Sequence, residues 1–280
     1  DFLLSCAEAP LAGKKFVLDC ANGAAGAFAP RVFRRLGAEV IALHCGRSGK
    51  DVNEKCGALH PESMRRAVRE AGADAGFCYD GDADRLIAAD ENGELVDGDK
   101  ILCIFAKELK SRGRLPHNLA VGTAHTNTGA ERELAAHGIT LYRTDVGDKY
   151  VAAHMRRSGA AVGGEQSGHI ILAGYSTTGD GILSSVKLAE LVSRKKLSVL
   201  AKMRLLPQYN VSVKVKDKVR VLGNEGVQAA SDEAEKLAER VVVRASGTEP
   251  VVRIFAEAEN MRAAREAAEL VRRAIAKSEE

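Results

Sequence analysis

The 280-residue chain is predicted to be an α/β protein, with two tandem α/β/α domains of mixed sheets followed by a small α+β domain. Three observations support this fold class. Apolar strand-like runs alternate with amphipathic helical stretches from Lys14 to about Val96, and the same alternation begins again near Gly98. After Pro207, apolar and polar residues alternate one by one, which is typical of an antiparallel strand with one exposed face.

The first α/β domain is predicted over residues 14–97, after a linker over residues 1–13. Its strands and helices alternate in the order KKFVLDCA, GAFAPRVFRRLG, AEVIALHC, PESMRRAVREAG and DAGFCYD. Pro61 is expected in the first turn of the second helix, and Gly72 directly after its end. Such alternation implies right-handed crossovers onto a mainly parallel sheet. The stretch RLIAADENGELV then predicts a hairpin that turns at its Asn-Gly pair.

The second α/β domain is predicted over residues 98–203 and repeats this pattern. A helix over DKILCIFAKELKSRG opens it, and the strands NLAVGTA and ITLYRTDV alternate with helices over GAERELAAHG and DKYVAAHMRRSG. Two short strands are expected around a polar loop in AAVGGEQSGHIILAG, and a helix over GDGILSSVKLAELVSRKK closes the domain.

The α+β domain is predicted over residues 204–280. It begins with the strand QYNVSVKVKD, followed by a helix over EGVQAASDEAEKLAER. The stretch VVVRASGTEPVVRIFAEAE predicts a strand–turn–strand unit, and MRAAREAAELVRRAIAKSEE predicts an amphipathic last helix.

Composition indicates a folded protein and argues against nucleic-acid binding. Hydrophobic residues make up 45% of the chain and charged residues 28%, which is typical of globular domains. The net charge is only +3, and aromatic residues make up 4% with no tryptophan, so a basic surface with stacking rings is not expected. No apolar run approaches the ~20 residues of a membrane span. We expect a cytoplasmic protein without nucleic-acid or membrane partners, for which a homodimer is one option.

Six cysteines lie at positions 6, 20, 45, 56, 78 and 103. None forms a C-x-x-C pair, and several lie within apolar runs. We therefore expect reduced, partly buried thiols rather than a zinc site or disulfide bonds.

Three aspartates crowd the stretch YDGDADR, residues 79–85. Asp80, Asp82 and Asp84 follow an apolar strand, so they are expected at the C-terminal edge of a parallel sheet, where α/β proteins bind ligands. Like charges at this spacing repel one another unless a cation lies among them. Three carboxylates on a tight loop suit Mg²⁺, with coordination positions left for phosphate oxygens.

A calcium loop is one alternative to this magnesium site. With Asp80 as position one, Glu91 falls at position twelve and Ile87 at the apolar position eight. Position six, however, is Arg85, where the sharp turn requires glycine, and the flanking stretches are predicted as strands rather than helices. A solvated acidic turn without a metal is the other alternative.

The glycine-rich stretch GGEQSGH, residues 163–169, is a candidate sugar site. Its glycines allow a tightly folded loop, and its polar side chains are those of Glu165, Gln166, Ser167 and His169. Sugar hydroxyls both donate and accept hydrogen bonds, and this mixture of side chains can satisfy both. A polar hairpin without a ligand explains the stretch equally well.

The stretch RASGTEPVVR, residues 244–253, is a candidate phosphate site. Arg244 and Arg253 flank a strand-to-strand turn that offers backbone N–H groups around Gly247. Its hydroxyls come from Ser246 and Thr248. Arginine binds phosphate through two parallel hydrogen bonds, and successive turn amides form anion-binding concavities. A plain turn between surface arginines is the alternative.

A metal that supports phosphoryl transfer, a site for hydroxyls and a second phosphate site together indicate phosphosugar chemistry. From Lys14 onward the sequence resembles the α-D-phosphohexomutase superfamily over nearly its whole length. The resemblance is carried by LDCANGAAGAFAP, GADAGFCYDGDADR, VGDKYV, TTGDGI and SGTEPVVRI. The stretches TTGDGI (177–182) and SGTEP (246–250) favour the branch that acts on glucosamine phosphates over phosphoglucomutases and phosphomannomutases.

The resemblance implies a role for each candidate residue. It implies that Mg²⁺ is held by Asp80, Asp82 and Asp84, with Arg85 as a catalytic residue beside the transferring phosphoryl group. It implies sugar contacts by Glu165, Ser167 and His169. It implies that the other phosphate is held by Arg244, Ser246, Gly247, Thr248 and Arg253. Members of the superfamily interconvert 6-phosphates and 1-phosphates of a hexose through a bound 1,6-bisphosphate, here of glucose or glucosamine, and the glucosamine product leads to UDP-N-acetylglucosamine and peptidoglycan.

The phosphorylated serine of the superfamily lies in a Ser-His-Asn-Pro-type loop of its first domain, and no such loop occurs in these 280 residues. We therefore expect the chain to correspond to domains two to four of a mutase and to bind its ligands without turnover when alone. Two alternatives stay open at this point. One is a mutase with phosphoglucomutase/phosphomannomutase specificity, and the other is a non-catalytic phosphosugar-binding protein.

Overall fold

A computed structural model of the chain describes residues 1–46, 48–247 and 249–279. The chain divides into two compact units, of which the first contains residues 1–126 and 130–203 and the second residues 127–129 and 204–280. The first unit contains both predicted α/β domains, whose separate boundaries stay a prediction.

The first sheet has five strands in the order β2-β1-β3-β4-β5. The strands are β1 (Lys15–Asp19), β2 (Glu39–Leu43), β3 (Ala75–Tyr79), β4 (Leu86–Ala89) and β5 (Leu95–Val96). Strand β1 pairs in parallel with β2 and β3, whereas β3–β4 and β4–β5 are antiparallel. The sheet is therefore mixed and ends in the predicted hairpin, and the carboxyl ends of β1, β2 and β3 lie at one edge.

Helices α2 (Ala25–Arg35) and α3 (Glu62–Ala71) connect the parallel strands, in the predicted order. Pro61 lies directly before α3 rather than in its first turn, and Gly72 ends the helix in the left-handed conformation with φ of 57°. Phe16 of β1 packs against Phe33 of α2 and Phe77 of β3, with ring centroids 5.4 and 5.5 Å away. These buried rings anchor α2 to the sheet.

The segment that was predicted as a linker, residues 1–13, contains a short helix α1 (Phe2–Ser5). Leu11 of this segment is fully buried, and its N–H donates to the carbonyl of Leu36 at 2.8 Å. The segment is therefore packed into the first unit.

The second sheet has four strands in the order β7-β6-β8-β9. The strands are β6 (Leu119–Thr123), β7 (Thr140–Thr144), β8 (Val162–Gly164) and β9 (Ile170–Leu172). The helices of this region are α4 (Gly98–Ser111), α5 (Thr128–Ala136), α6 (Asp148–Ser158), α7 (Gly181–Val192) and α8 (Leu197–Leu200). Strands β8 and β9 form an antiparallel pair around the glycine-rich loop, as predicted. Helix α7 is buried along its whole length, so it forms part of the core of the first unit.

The second unit contains a three-stranded antiparallel sheet in the order β10-β12-β11. Its elements are β10 (Gln208–Lys214), α9 (Lys218–Leu222), α10 (Glu225–Glu235), β11 (Arg240–Ala245), β12 (Val251–Glu257) and α11 (Met261–Ser278). Ala267, Val271 and Ile275 recur every four residues along α11 and are fully buried against this sheet.

The six cysteines are free thiols, as predicted, and all are buried except the half-buried Cys45. Within the described ranges, none of the helices has the length and apolar character needed to cross a lipid bilayer.

Candidate active site

The three aspartates of YDGDADR lie directly after β3, at the carboxyl edge of the first sheet. One carboxylate oxygen from each of Asp80, Asp82 and Asp84 lies within 4.8 Å of the others. Asp80 is buried, Asp84 is half-buried and Asp82 is exposed. The carboxylates therefore converge on one position that is open to solvent on the side of Asp82. Residues 80–85 form the metal loop.

Backbone contacts fold the metal loop tightly around Asp80. The N–H of Ala83 donates to the carbonyl of Asp80 at 3.2 Å, and Ala83 adopts the left-handed conformation with φ of 64°. The N–H of Arg85 donates to Oδ1 of Asp80 at 3.2 Å. Both contacts turn the chain sharply after β3, which brings three alternate side chains to the same side.

The turn after β1, which contains Asn22 and Gly23, contacts the metal loop through its backbone. The N–H of Ala24 donates to the carbonyl of Gly81 at 2.9 Å. A Cβ atom on Gly23 would lie 2.3 Å from the same carbonyl oxygen, so only glycine permits this close approach. This contact is a physical reason for the glycine in the stretch LDCANGAAGAFAP.

The electrostatics of the metal loop favour a bound cation. Burial, followed by the nearby carboxylate of Asp84, raises the pKa of Asp80 to about 6. The Nε atom of Arg85 lies 3.5 Å from Oδ2 of Asp80 and 3.8 Å from Oδ1 of Asp84, so it compensates only part of the charge. Oδ1 of Asp84 is buried and accepts no hydrogen bond from any described residue. A hard divalent cation would supply the missing partner, so the residues present fit Mg²⁺.

His169 connects the metal loop to the loop before α7. Its Nε2 accepts the N–H of Gly179 at 3.1 Å, so its proton lies on Nδ1, which is 3.0 Å from Oδ2 of Asp84. The side chain is 5% exposed. Both ring nitrogens are thus engaged within the protein, and the role of His169 in sugar binding stays a prediction.

The candidate sugar loop, residues 163–169, turns between β8 and β9. The N–H of Gly168 donates to the carbonyl of Glu165 at 2.9 Å, and the N–H of Glu165 donates to the carbonyl of His169 at 3.1 Å. Oε1 of Glu165 accepts the N–H of Gly147 at 3.1 Å, which connects the loop to the VGDKYV stretch. Burial raises the pKa of Glu165. Ser167 is exposed at the tip of the loop.

The metal loop and the sugar loop are directly hydrogen-bonded. The N–H of Leu86 donates to the carbonyl of Gly168 at 3.0 Å, and Arg85 and His169 form an isolated antiparallel bridge. Gly168 has φ of +96°, and a Cβ atom there would lie 2.2 Å from the carbonyl oxygen of Leu86. The structure therefore brings together two of the three predicted loops, through a glycine that permits their contact.

The TTGDGI stretch, residues 177–182, contacts both of these loops. Its residue types did not by themselves indicate a role. A Cβ atom on Gly179 would lie 2.5 Å from Nε2 of His169, and one on Gly181 would lie 2.3 Å from the carbonyl oxygen of Arg85. The side chain of Asp180 accepts the N–H of Leu183 and caps α7. The Gly-x-Gly spacing of Gly179 and Gly181 could have indicated a close approach of other backbone or side-chain atoms. The residues that the two glycines contact, however, are distant from them in sequence.

The candidate phosphate loop lies in the second unit, between β11 and β12. Arg244 and Arg253 are directly opposite in the antiparallel pair. Like charges at opposite positions destabilise a strand pair, so an anion that binds both arginines would be favourable. Nη2 of Arg253 donates to Oε2 of Glu249 at 2.6 Å, which partly offsets this repulsion.

Contacts within the turn hold the phosphate loop together. Ser246 is buried, and its N–H donates to the carbonyl of Val251 at 2.9 Å. Gly247 is exposed, with open space where a side chain would begin. Lys218, which the sequence did not single out, donates from Nζ to the carbonyls of Ser246 and Glu249 at 2.7 and 3.2 Å. The predicted ligand Thr248 lies outside the described residues.

Family comparisons cover nearly the whole chain. Residues 3–93 match the phosphoglucomutase/phosphomannomutase alpha/beta/alpha domain II, residues 97–209 match domain III, and residues 210–274 match the C-terminal domain of the same family. The chain belongs to this family of phosphohexomutases. The predicted fold class and superfamily are thereby confirmed.

The curated relatives are phosphoglucosamine mutases. The chain is 51% identical over 258 residues to the phosphoglucosamine mutase of Symbiobacterium thermophilum, covering 90% of this chain and 58% of the relative. It is 46% identical to the phosphoglucosamine mutase of Carboxydothermus hydrogenoformans, covering 91% of this chain and 59% of the relative. The chain thus spans about three fifths of the length of these relatives.

Solved structures share the fold. The N-acetylphosphoglucosamine mutase of Aspergillus fumigatus, in complex with GlcNAc-6P and magnesium, has a TM-score of 0.81 at 21% identity and is matched over 100% of this chain and 64% of that chain. A phosphoglucomutase/phosphomannomutase family protein from Burkholderia thailandensis has a TM-score of 0.79 at 24% identity, over 99% of this chain and 63% of that chain.

Proposed function

We propose that this chain forms the metal-, sugar- and phosphate-binding part of a phosphoglucosamine mutase, which interconverts glucosamine 6-phosphate and glucosamine 1-phosphate through a bisphosphate intermediate. The observation that carries the proposal is the direct contact between the metal loop and the sugar loop, made by Gly168 with Leu86 and by His169 with Asp84. The relatives at 51% and 46% identity are phosphoglucosamine mutases, which supports glucosamine as the hexose.

Asp80, Asp82 and Asp84 would hold Mg²⁺ through one carboxylate oxygen each. When bound, the ion neutralises charge on the phosphoryl group during transfer. The buried, unsatisfied Oδ1 of Asp84 supports this assignment, and so does the crowding that raises the pKa of Asp80. Arg85 is 44% exposed at its side chain, so its guanidinium can reach a phosphate oxygen beside the ion.

The sugar loop would orient the hexose beside the metal loop. Oε1 of Glu165 accepts the N–H of Gly147, and the second carboxylate oxygen can accept a hydrogen bond from a sugar hydroxyl. Ser167, exposed at the tip of the loop, can both donate to and accept from a hydroxyl. His169 acts on this site chiefly by holding Asp84.

The phosphate loop would hold the phosphate that is not being transferred. Arg244 and Arg253 are opposite in the strand pair and suit a dianion, because each guanidinium group can donate two parallel hydrogen bonds to it. Gly247 can offer its backbone N–H and Ser246 its hydroxyl at the same turn, while Lys218 binds the carbonyls of Ser246 and Glu249.

Calorimetric titration of the 280-residue chain tests the proposal. We expect it to bind glucosamine 6-phosphate in the presence of Mg²⁺, more tightly than glucose 6-phosphate or mannose 6-phosphate. We expect no turnover of glucosamine 6-phosphate, even with glucose 1,6-bisphosphate added, because no Ser-His-Asn-Pro-type loop is present. Tighter binding of glucose or mannose phosphates would favour the phosphoglucomutase/phosphomannomutase alternative, and absence of all binding would contradict the proposal.

A further inference from the structure

A second group of metal-ligating side chains lies at the same edge of the first sheet, on residues that the proposed mutase site does not use. Asp19, His44 and Cys56 each place one ligand atom within 4.8 Å of the others. Asp19 ends β1, His44 directly follows β2, and Cys56 lies in the loop that leads to α3. Because β1 and β2 are parallel neighbours, their carboxyl ends bring Asp19 and His44 together.

Two of the three side chains in this group are buried, and the third is partly exposed to solvent. Asp19 and Cys56 are fully buried, whereas the side chain of His44 is 33% exposed. Oδ1 of Asp19 accepts the N–H of Ala21 at 3.0 Å, and Oδ2 accepts the hydroxyl of Ser63 at 3.2 Å. These bonds hold the carboxylate in place and leave capacity on Oδ2 for a further partner, since each carboxylate oxygen has about two acceptor positions.

The contact between His44 and Asp19 has the distance of a hydrogen bond but not its direction. Nδ1 of His44 is 2.9 Å from Oδ2 of Asp19. The same Nδ1 atom is buried and makes no hydrogen bond of acceptable geometry to any described residue. A cation between the two atoms, once they move slightly apart, would give both of them a partner.

The loops that carry the group hold unfavourable backbone conformations. Five non-glycine residues there have left-handed φ angles of 47° to 61°, namely Ala21, Asn22, His44, Asn53 and Lys55. Such conformations cost energy and persist where other interactions compensate for them. A bound ion that joins the three loops would provide such compensation.

We propose that Asp19, His44 and Cys56 form a binding site for a thiophilic divalent transition-metal ion such as Zn²⁺. An oxygen, an imidazole nitrogen and a thiolate sulfur are the ligands that Zn²⁺ accepts, whereas Mg²⁺ requires oxygen ligands. Three protein ligands leave the fourth tetrahedral position open to water. Binding exchanges the thiol proton of Cys56 for the metal ion, and the proton passes to solvent.

The spacing of the group is compatible with this coordination after small movements. Around a tetrahedral Zn²⁺, with bonds of about 2.0 Å to nitrogen or oxygen and about 2.3 Å to sulfur, ligand atoms are separated by roughly 3.3 to 3.5 Å. Each pair of ligand atoms lies within 4.8 Å, so movements on the order of 1 Å bring the three atoms to this spacing. The exposed side of His44 permits such movement.

A metal ion bound at this site would restrict the movement of the loops that contact the metal loop. The N–H of Asn53 donates to the carbonyl of Ala21 at 3.0 Å, and side-chain atoms of Val52 and Asn53 lie against Gly81. An ion that joins Asp19, two residues before Ala21, to Cys56 would fix these loops relative to one another. Because it binds the folded chain, it should raise the melting temperature.

Metal titration with saturating Mg²⁺ present tests the proposal. The Mg²⁺ is added to fill the proposed site in the metal loop, and Co²⁺ serves as a spectroscopic probe whose near-ultraviolet charge-transfer band reports a thiolate ligand. Zn²⁺ affinity is measured by competition with a chromophoric chelator. The variants are Cys56→Ser and His44→Asn, and Cys45→Ser is the matched control, because Cys45 adjoins His44 but lies outside the group.

We expect one Zn²⁺ per chain, a thiolate–cobalt band, and a loss of at least tenfold in Zn²⁺ affinity in both variants. Cys56→Ser should also abolish the band, whereas Cys45→Ser should keep the band and the affinity. The proposal is overturned if the band is absent in the parent chain. It is equally overturned if Cys45→Ser weakens binding as much as Cys56→Ser does, or if Asp82→Asn, rather than His44→Asn, removes the Zn²⁺. None of these outcomes depends on the mutase assignment.

Discussion

His169 and Asp84 are joined by a hydrogen bond of 3.0 Å between Nδ1 and Oδ2, across 85 residues of sequence. The second ring nitrogen accepts the N–H of Gly179, so the imidazole cannot turn without losing both bonds. This arrangement resembles the outer-sphere contacts that orient carboxylate ligands in metal sites generally. It makes the geometry of the metal loop dependent on the sugar loop and on the start of α7.

The first prediction concerns the exposed ligand of the metal loop. Asp82→Asn should weaken Mg²⁺ binding by about tenfold or more, because it removes one of the three proposed carboxylate ligands. The melting temperature without Mg²⁺ should change little, since Asp82 is exposed. Calorimetry with Mg²⁺ provides the measurement, and Glu70→Gln on the exposed side of α3 is the control. Unchanged Mg²⁺ affinity in Asp82→Asn would show that the metal assignment is wrong.

The second prediction concerns the contact between Gly179 and His169. Gly179→Ala should weaken Mg²⁺ binding by about tenfold, because the new Cβ would lie 2.5 Å from Nε2 of His169 and would displace the ring from Asp84. Gly174→Ala is a matched control, since its nearest neighbour would be 3.8 Å away. Calorimetry with Mg²⁺ compares the two variants. Equal affinity in both would refute a positioning role for His169.

A third prediction separates binding from stability in the phosphate loop. Arg253→Gln should weaken binding of a hexose phosphate by about tenfold without lowering the melting temperature, because it also removes the repulsion from Arg244 across the strand pair. Glu249→Gln should leave phosphate binding unchanged or strengthen it, because it frees the guanidinium group of Arg253. Isothermal titration with glucosamine 6-phosphate distinguishes the two. Weaker binding in Glu249→Gln would contradict this description of the loop.

The fourth prediction concerns Glu8, which attaches the N-terminal segment to the rest of the first unit. Its carboxylate accepts the hydroxyl of Tyr175 at 2.5 Å and Nη1 of Arg112 at 2.6 Å, and these bonds lower the pKa of Glu8 from 4.5 to about 2. A lowered carboxyl pKa stabilises the fold above the unfolded value near 4.5, and this stabilisation is lost as the pH falls toward 2.

Thermal unfolding of Glu8→Gln between pH 3 and pH 7 measures this contribution. The side chain of Glu8 is 34% exposed, so solvent screening reduces the expected loss of unfolding free energy to about 1 kcal/mol at neutral pH. The difference in melting temperature from the parent chain should be largest at neutral pH and should shrink as the pH falls below about 4. A difference that stays constant with pH would mean that the charge of Glu8 does not cause it.

Local patterns were sufficient to predict most of the elements. Alternation of apolar runs and amphipathic stretches predicted the strands and longer helices in their order, and the Asn-Gly pair predicted the hairpin between β4 and β5. The short helices α1, α8 and α9 were not predicted, because four or five residues are too few to show helical periodicity. The packing of residues 1–13 was missed for a related reason, since one buried leucine makes no periodic pattern.

Only part of the candidate site could be predicted from the sequence. The metal loop could be singled out as a candidate because like charges at alternate positions repel one another unless a cation lies among them, and this argument is local. The bond from His169 to Asp84 and the close approach of Gly181 to Arg85 depend on crossovers that no local pattern encodes. The group of Asp19, His44 and Cys56 was missed because cysteine spacing was judged along the chain, whereas parallel strands bring these residues together.

By itself, the sequence determined the α/β class, the antiparallel character of the last domain and the polar side chains that the three candidate loops carry, because each depends on residue type and short-range spacing. Only the tertiary structure decided which loops meet. Parallel pairing places the ends of β1, β2 and β3 at one edge, and glycines at positions 168, 179 and 181 let backbone segments approach more closely than any side chain would allow. The three aspartates are local in sequence, but the residues that hold them in place are not.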